Sequence, residues 1–225
     1  MFSASQAVLF DFDGPICDVF RGLPAPAIAE ELASLLSALA PILSPLARLT
    51  DDPMEVHRLS QEGGTAVLAA VEAALTAAEI RAVKVAGVPV AGAVSALHAA
   101  RDSGRHVAIV SNNSAECVRE YLSLHGLVGA VDEVVGRPKL RPELMKPSPH
   151  PLLTAASAFG VAPSRTVLVG DSISDIEAAY AAGARSIGFA NKAPKQTSLV
   201  NAGADVVVLE MQELADSLRL ASRSS

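Results

Sequence analysis

The apolar and polar positions divide the chain into three stretches. The first is short. Ala7–Phe10 is wholly apolar, the pattern of a strand buried on both faces. It runs directly into Asp11, Phe12, Asp13 and Gly14, where the glycine marks a sharp turn. The second stretch, residues 22–86, carries helical spacing throughout. After Pro24 and Pro26, positions Ile28, Leu32, Leu35, Leu36 and Leu39 share one helix face, and Pro41 and Pro45 break the helix beyond Leu39. Asp51-Asp52-Pro53 signals a helix over residues 54–60. Beyond Gly63-Gly64, Thr65 opens a long helix with Val67, Leu68, Val71, Leu75 and Ala78 on one stripe, closed by Gly87 and Pro89. So long a segment is no ordinary connection between a strand and its neighbour.

From Pro89 strands alternate with helices. The pattern predicts helices at 90–101, 114–125, 149–159, 173–182 and 195–202, and a last one from Met211 that frays into Ser-Arg-Ser-Ser. Ser114 and Ser148 stand at N-cap positions, and Pro149 at a first helical position. Strands are predicted at 106–110, 133–135, 166–169, 186–189 and 205–208. Apolar strands alternating with helices imply a Rossmann-like α/β core: a parallel sheet with helices on both faces, linked by right-handed crossovers. The expected organisation is a core of residues 1–16 and 88–225 interrupted by an all-α helical domain of residues 17–87.

Composition narrows the function classes. Half of the 225 residues are apolar, enough for a sizeable core. The formal net charge of −6 and the lack of any long Lys/Arg cluster argue against nucleic acid as partner, but not against a small anionic ligand. Cys17 and Cys117 are the only cysteines and match no metal-binding spacing, so a reducing, cytoplasmic setting is expected. The N-terminal Met-Phe-Ser-Ala-Ser-Gln lacks the features of a signal peptide. The longest uncharged stretch, 32–47, is too short for a membrane span and holds two prolines. A soluble protein without a membrane partner is expected.

Three predicted strands are followed at once by polar groups: Asp11 and Asp13 after the first, Ser111-Asn112-Asn113 after the second, and Asp171-Ser172 with Asp175 after a later one. In a parallel sheet such strand ends share one rim, where ligands bind. Met145-Lys146-Pro147 adds a lysine just ahead of a helix start. Four carboxylates, a hydroxyl, an amide and an ammonium suit a Mg²⁺ ion and a phosphate: Mg²⁺ takes hard oxygen ligands, and phosphoryl transfer needs its charge neutralised.

The set Asp11–Gly14 (D-F-D-G), Ser111–Asn113 (S-N-N), Met145–Pro147 (M-K-P) and Gly170–Asp175 (G-D-S-x-x-D) resembles the haloacid dehalogenase superfamily in order and spacing. Each motif alone is weak; all four in order, each beside a strand or a helix start, are specific. The helical insert is similar to the cap of the phosphoglycolate phosphatase and β-phosphoglucomutase branch. The resemblance implies Asp11 as the nucleophile that forms an aspartyl-phosphate, and Asp13 as general acid and then base. It implies Mg²⁺ on the Asp11 side chain, the Asp13 carbonyl and Asp171. Ser111 Oγ and the Asn112 amide would bind phosphate oxygens. Lys146 would offset the charge of nucleophile and phosphate, and Asp175 would orient Lys146 or a metal-bound water.

Plainer roles stand beside these. Ser111 could be a helix cap, although Ser114 already fits that place. Lys139 and Arg141 compete with Lys146, and Asp175 could simply favour a helix N-terminus. Asn113 reads as structural, the cysteines as small core residues, and Glu116, Arg119 and Glu120 as solvated surface. The chain departs from the family at Pro15, where Thr or Val is usual. The phosphate donors there are expected to be the earlier amides of Phe12 and Asp13, so activity should survive. Asp13 favours phosphate-ester chemistry over carbon–halogen or carbon–phosphorus cleavage, since the relatives that run those reactions lack this second acid. The leading expectation is a Mg²⁺-dependent phosphatase for a small phosphorylated metabolite. A phosphosugar mutase is the runner-up, and a non-catalytic phosphoryl-binding protein a remote third. Cap residues that could reach a substrate are Arg21, Arg48, His57, Arg58 and Lys84, with hinges expected near 17–21 and 86–89.

Overall fold

The computed structural model describes residues 2–222. Among them six parallel strands form one sheet: β1 (Ala7–Phe10), β2 (His106–Val110), β3 (Glu133–Val135), β4 (Thr166–Gly170), β5 (Arg185–Phe189) and β6 (Val206–Val208). Their order is β3-β2-β1-β4-β5-β6. The first strand of the chain is therefore central: Val8 lies beside Val107 on one side and Val167 on the other. This is the order of a Rossmann sheet, with its reversal of winding between β1 and β4.

Ten α-helices among the described residues accompany the sheet. Five lie between β1 and β2, and the first four make up the insertion: α1 (Ala25–Leu39), α2 (Ser44–Ala47), α3 (Pro53–Ser60) and α4 (Thr65–Val85). They are followed by α5 (Ala93–Asp102), α6 (Ala115–Leu124), α7 (His150–Ala158), α8 (Ile173–Ala182), α9 (Ala193–Asn201) and α10 (Met211–Ser222). Side chains alternate across the strands and so build two apolar layers. Val8, Phe10, Val107, Ile109, Val167 and Val169 join α5, α6 and α10 through Leu97, Val118 and Leu214. Ala7, Leu9, Ala108, Val110 and Leu168 meet Leu152 of α7 and Ala178 and Ala179 of α8. Both faces are thus covered, which explains the unbroken apolar runs in the strands.

The first layer continues into the insertion. Ile28, Leu32 and Leu36 of α1 and Val71, Leu75 and Ala78 of α4 belong to it, as expected, whereas Leu39 at the end of α1 is 46 % exposed. Helix α4 also lies along α6. Phe12 and Tyr121 meet edge to face at 5.5 Å, and Tyr121 donates from its hydroxyl to the Gly87 carbonyl at 3.1 Å. No helix among the described residues is long and apolar enough to cross a membrane.

Some helix starts differ from expectation, and α9, expected from residue 195, begins at Ala193 with Pro194 in its first turn. Helix α5 begins at Ala93 rather than residue 90, because Gly92 adopts a left-handed conformation (φ 83°) that breaks the helical path, and the Val90 N–H is bound to the Ile16 carbonyl at 3.0 Å. Helix α7 begins at His150 with Pro149 as its N-cap, and Ser148 Oγ accepts from the His150 N–H at 3.3 Å. The expected fraying of the C-terminal Ser-Arg-Ser-Ser falls largely outside the described residues.

One buried polar pair joins two helices of the insertion. His57 on α3 is fully buried, and its Nε2 lies 3.3 Å from Glu72 Oε2 on α4. Burial, and then the Arg137 guanidinium, lowers the His57 pKa to about 4 against the pull of Glu72. An unfolded histidine takes a proton near pH ~6.5. Between those two values the unfolded chain binds more protons, so His57 withdraws stability as pH falls through that window. His57→Gln keeps an N–H donor and does not titrate. Its urea midpoint should decline less steeply than that of wild type as pH falls from about 7 to about 4.5. Equal slopes in the two proteins would refute this account of His57.

Candidate active site

The polar motifs stand at the carboxyl ends of three adjacent strands. The Asp11 N–H donates to the Val169 carbonyl at 2.8 Å, continuing the ladder one residue past β1. The Ser111 N–H does the same after β2, reaching the Val135 carbonyl at 2.9 Å. Asp171 follows directly on β4. The three motifs therefore meet beside the reversal of winding, where an open α/β sheet leaves a crevice.

Lys146 holds the centre. It is 2 % exposed, and its Nζ lies 2.7 Å from Asp11 Oδ1, 2.5 Å from Asp175 Oδ1 and 3.1 Å from the Val110 carbonyl. Burial opposes its charge, but Asp11 and then Asp175 more than offset that and raise its pKa. Its backbone is held by Asn112: Oδ1 accepts from the Lys146 N–H at 2.8 Å, and Nδ2 donates to the Lys146 carbonyl at 3.1 Å. The Asn112 side chain thus serves the lysine, which leaves its backbone N–H for the phosphate role. Lys139 and Arg141 are exposed and pair with Glu116 and Glu143, away from this centre.

Asp175 takes both of the roles weighed for it. Its Oδ2 accepts from the Ser172 N–H at 3.1 Å and from Ser172 Oγ at 2.6 Å, closing a capping box at the start of α8. Its other oxygen faces Lys146. Helix start and lysine are locked to one carboxylate.

Carboxylate oxygens of Asp11, Asp171 and Asp175 lie within 4.8 Å of one another. Asp175 is occupied as described, so Asp11 and Asp171 are the acids with oxygens to offer a cation. Two glycines make the gathering possible: a Cβ on Gly14 would fall 2.3 Å from Asp171 Cγ, and one on Gly170 2.3 Å from Asp175 Cγ. Burial, then the charge of Asp175, raises the Asp11 pKa well above the carboxylate range, against the pull of Lys146. Asp171 is likewise raised by burial, with relief from Lys195. Hard oxygens crowded at the cost of their own ionisation fit a divalent cation such as Mg²⁺, which would restore the charged forms.

Asp13 stands slightly apart. Its Oδ1 accepts from the Val19 N–H at 3.0 Å, and burial raises its pKa to about 6 despite that bond. The Phe12 N–H, an expected phosphate donor, donates instead to Asp11 Oδ1 at 2.7 Å. Pro15 is accommodated because the turn is closed by its neighbours: the Phe12 carbonyl accepts from Ile16 at 3.1 Å and Cys17 at 2.9 Å. Ser111 is buried, and its Oγ accepts from the Asn113 N–H at 3.1 Å.

Of the cap candidates, Arg21, Arg48, Arg58 and Lys84 are exposed, and Lys84 pairs with Glu120 at 3.3 Å. His57 faces Glu72, not the rim. The sequence reading missed two groups. Lys195 Nζ pairs with Asp171 Oδ2, which also accepts from Asn191 Nδ2 at 3.1 Å. Glu79 and Arg137 form a buried pair at 2.7 Å between α4 and the segment after β3.

Residues 6–183 match the family model of haloacid dehalogenase-like hydrolases. The chain belongs to that family of enzymes. This hydrolase is 31 % identical over 196 residues to a phosphoglycolate phosphatase of Xylella fastidiosa, covering 81 % of this chain and 79 % of that one. It is 42 % identical over 82 residues to the phosphoglycolate phosphatase of Nitrosococcus oceani, a match spanning 36 % of each protein. Its fold is similar to that of CbbY from Rhodobacter sphaeroides in complex with xylulose-1,5-bisphosphate. The TM-score is 0.67 at 19 % identity, over 93 % of this chain and 96 % of that one.

A cation bound at Asp171 has to share that carboxylate with Lys195 and tolerate its charge. Lys195→Met should therefore tighten Mg²⁺ binding, by roughly fivefold for a partly exposed pair. Isothermal titration of Mg²⁺ into the two proteins reads this directly, and equal or weaker binding by the variant would count against it.

Proposed function

We propose that this hydrolase is a Mg²⁺-dependent phosphatase of small phosphorylated metabolites, akin to phosphoglycolate phosphatases, working through an aspartyl-phosphate. The observation that carries this is the contact of Lys146 with Asp11 at 2.7 Å, beside Asp171 and at the end of the central strand. A lysine so placed neutralises a carboxylate that must approach a phosphoryl group. The similarity to curated phosphoglycolate phosphatases supports the same class.

Mg²⁺ would be held by the Asp11 and Asp171 carboxylates and the Asp13 carbonyl, and when bound it supplies positive charge that offsets the substrate phosphate. The remaining steps belong to side chains. An Asp11 oxygen attacks phosphorus, forming one P–O bond as the bond to the leaving oxygen breaks. Asp13, with a pKa of about 6, retains a proton near neutrality more readily than an ordinary carboxyl, and it passes that proton to the leaving oxygen. The resulting Asp13 carboxylate then takes a proton from water, whose oxygen attacks phosphorus. That step releases inorganic phosphate and regenerates Asp11. Ser111 Oγ and the Asn112 N–H bind phosphate oxygens, Lys146 balances the charge on Asp11, and Asp175 keeps Lys146 in place.

The test is phosphate release from a panel of phosphorylated metabolites, with Mg²⁺ and with EDTA. Turnover should require Mg²⁺, and Asp11→Asn should lower it roughly a thousandfold or more while the protein stays folded. Isomerisation of sugar phosphates without net phosphate release would replace this reading by the mutase. Activity surviving Asp11→Asn would remove the covalent mechanism.

A further inference from the structure

Helix α4 carries two buried acids, Glu72 and Glu79, seven residues apart and so on one face. Both reach out of the insertion to the loops at the sheet rim. The Glu79 carboxylate is fully buried and meets four donors. Arg137 Nη1 lies 2.7 Å from Oε1, and Nη2 lies 3.3 Å from Oε2. Asn113 Nδ2 donates to Oε1 at 3.2 Å, and the Ser114 N–H to Oε2 at 3.0 Å. Arg137 also donates to the Asn112 carbonyl at 3.1 Å and to Thr76 Oγ1 on α4 at 3.1 Å. Residues 112, 113 and 114 are thus each tied to Glu79 or to its arginine.

The second acid acts on the neighbouring loop. Glu72 Oε2 accepts from the Leu140 N–H at 2.8 Å, where Leu140 has the unusual positive φ of 56°. Leu140 lies between Arg137 and Lys146, so α4 grips the segment that delivers the lysine as well.

We propose that Glu79 is a positioning residue, a carboxylate from the helical insertion that sets the shape of the phosphate-binding loop Ser111–Ser114 through Asn113, Ser114 and Arg137. This rests on the phosphatase reading, which assigns the phosphoryl group to Ser111 and Asn112. The chemistry of the site favours a carboxylate specifically. Every group facing Glu79 is a donor, so a purely accepting side chain is required, and a carboxamide of the same size would turn its own N–H toward one of them. The insertion thereby contributes to binding the part common to all substrates, the phosphoryl group, and not only to reading the leaving group. Thr76 accepts a hydrogen bond from Arg137 and makes none to residues 111–114, which makes it the natural control.

Three measurements on the full chain test this. Inorganic phosphate is titrated in the presence of Mg²⁺, amide exchange is followed in peptides covering residues 111–114, and KM and kcat are separated on the best substrate. Glu79→Gln should weaken phosphate binding and raise KM at least about tenfold, with a smaller change in kcat. It should also speed exchange over 111–114, while Thr76→Val stays within about twofold of wild type on each reading. A lower unfolding midpoint for Glu79→Gln with phosphate affinity and loop exchange intact would overturn the proposal and leave the phosphatase reading standing. If wild type itself bound no phosphate and released none, that reading would fall, and the exchange data would decide alone. Faster exchange over 111–114 would then support the positioning role, and unchanged exchange would overturn it. Should Glu79→Gln not fold, Arg137→Lys, which keeps the charge but loses the fork that spans Glu79, Asn112 and Thr76, carries the same readouts.

Discussion

Everything at the rim depends on removing carboxylates from water without leaving them uncompensated. Asp11, Asp171 and Asp175 are each at most 8 % exposed, and their oxygens are in mutual range. Isolated, such a group would take up a proton instead of keeping its charge. The structure meets this with one ammonium placed between two of the acids, a capping box on the third and Lys195 against the second. The balance is incomplete, as the raised pKa values of Asp11 and Asp171 show. On the proposed function, an incomplete balance is useful, because the site then takes up a cation and a phosphate together. A fully neutralised cluster would have little differential affinity for either.

The rim was legible because backbone and chemistry coincide there. Apolar runs end abruptly at Asp11, Ser111 and Asp171, and a parallel sheet brings such ends together without any knowledge of side-chain contacts. Lys146 could be chosen over Lys139 and Arg141 from its place before a helix start, and the structure puts it alone among them against Asp11. The helices of the insertion were visible from their stripes. Their polar contacts were not. Glu72 and Glu79 fall by spacing on the face of Leu68 and Leu75, but their charge alone argues for solvent, and their partners His57 and Arg137 lie in other elements. Burial of a charge depends on tertiary pairing, and no one-dimensional pattern records it. For the same reason His57 read as a group for a substrate and is a sealed partner of Glu72. Asn112 shows a subtler limit: its motif was evident, but the side chain supports Lys146.

The buried links between α4 and the rim also change how the insertion is understood. An all-helical segment between two strands suggests a separate body resting on the core. Here one apolar layer runs from the sheet through Phe12 and Ile16 into α1 and α4, and polar anchors reinforce it at Arg137 and Leu140. The exposed cationic side chains of the insertion lie on its outside, while Glu72 and Glu79 point to the interior. Its inner face is built to recognise the core's own loops.

The strand order carries a consequence for how the chain comes to be folded. β1 is made first and ends up central, between β2 and β4. Until Thr166–Gly170 has left the ribosome, one edge of β1 has no partner, and Asp11 lacks the Asp175 half of its lysine pair. Pairings between residues so far apart in sequence close late and slowly, because the loop entropy must be overcome before the contacts repay it. Nascent β1 is therefore an apolar edge that must be kept from other chains until β4 is made. Products truncated before β4 should burden the cell as aggregating species, not merely as inactive ones.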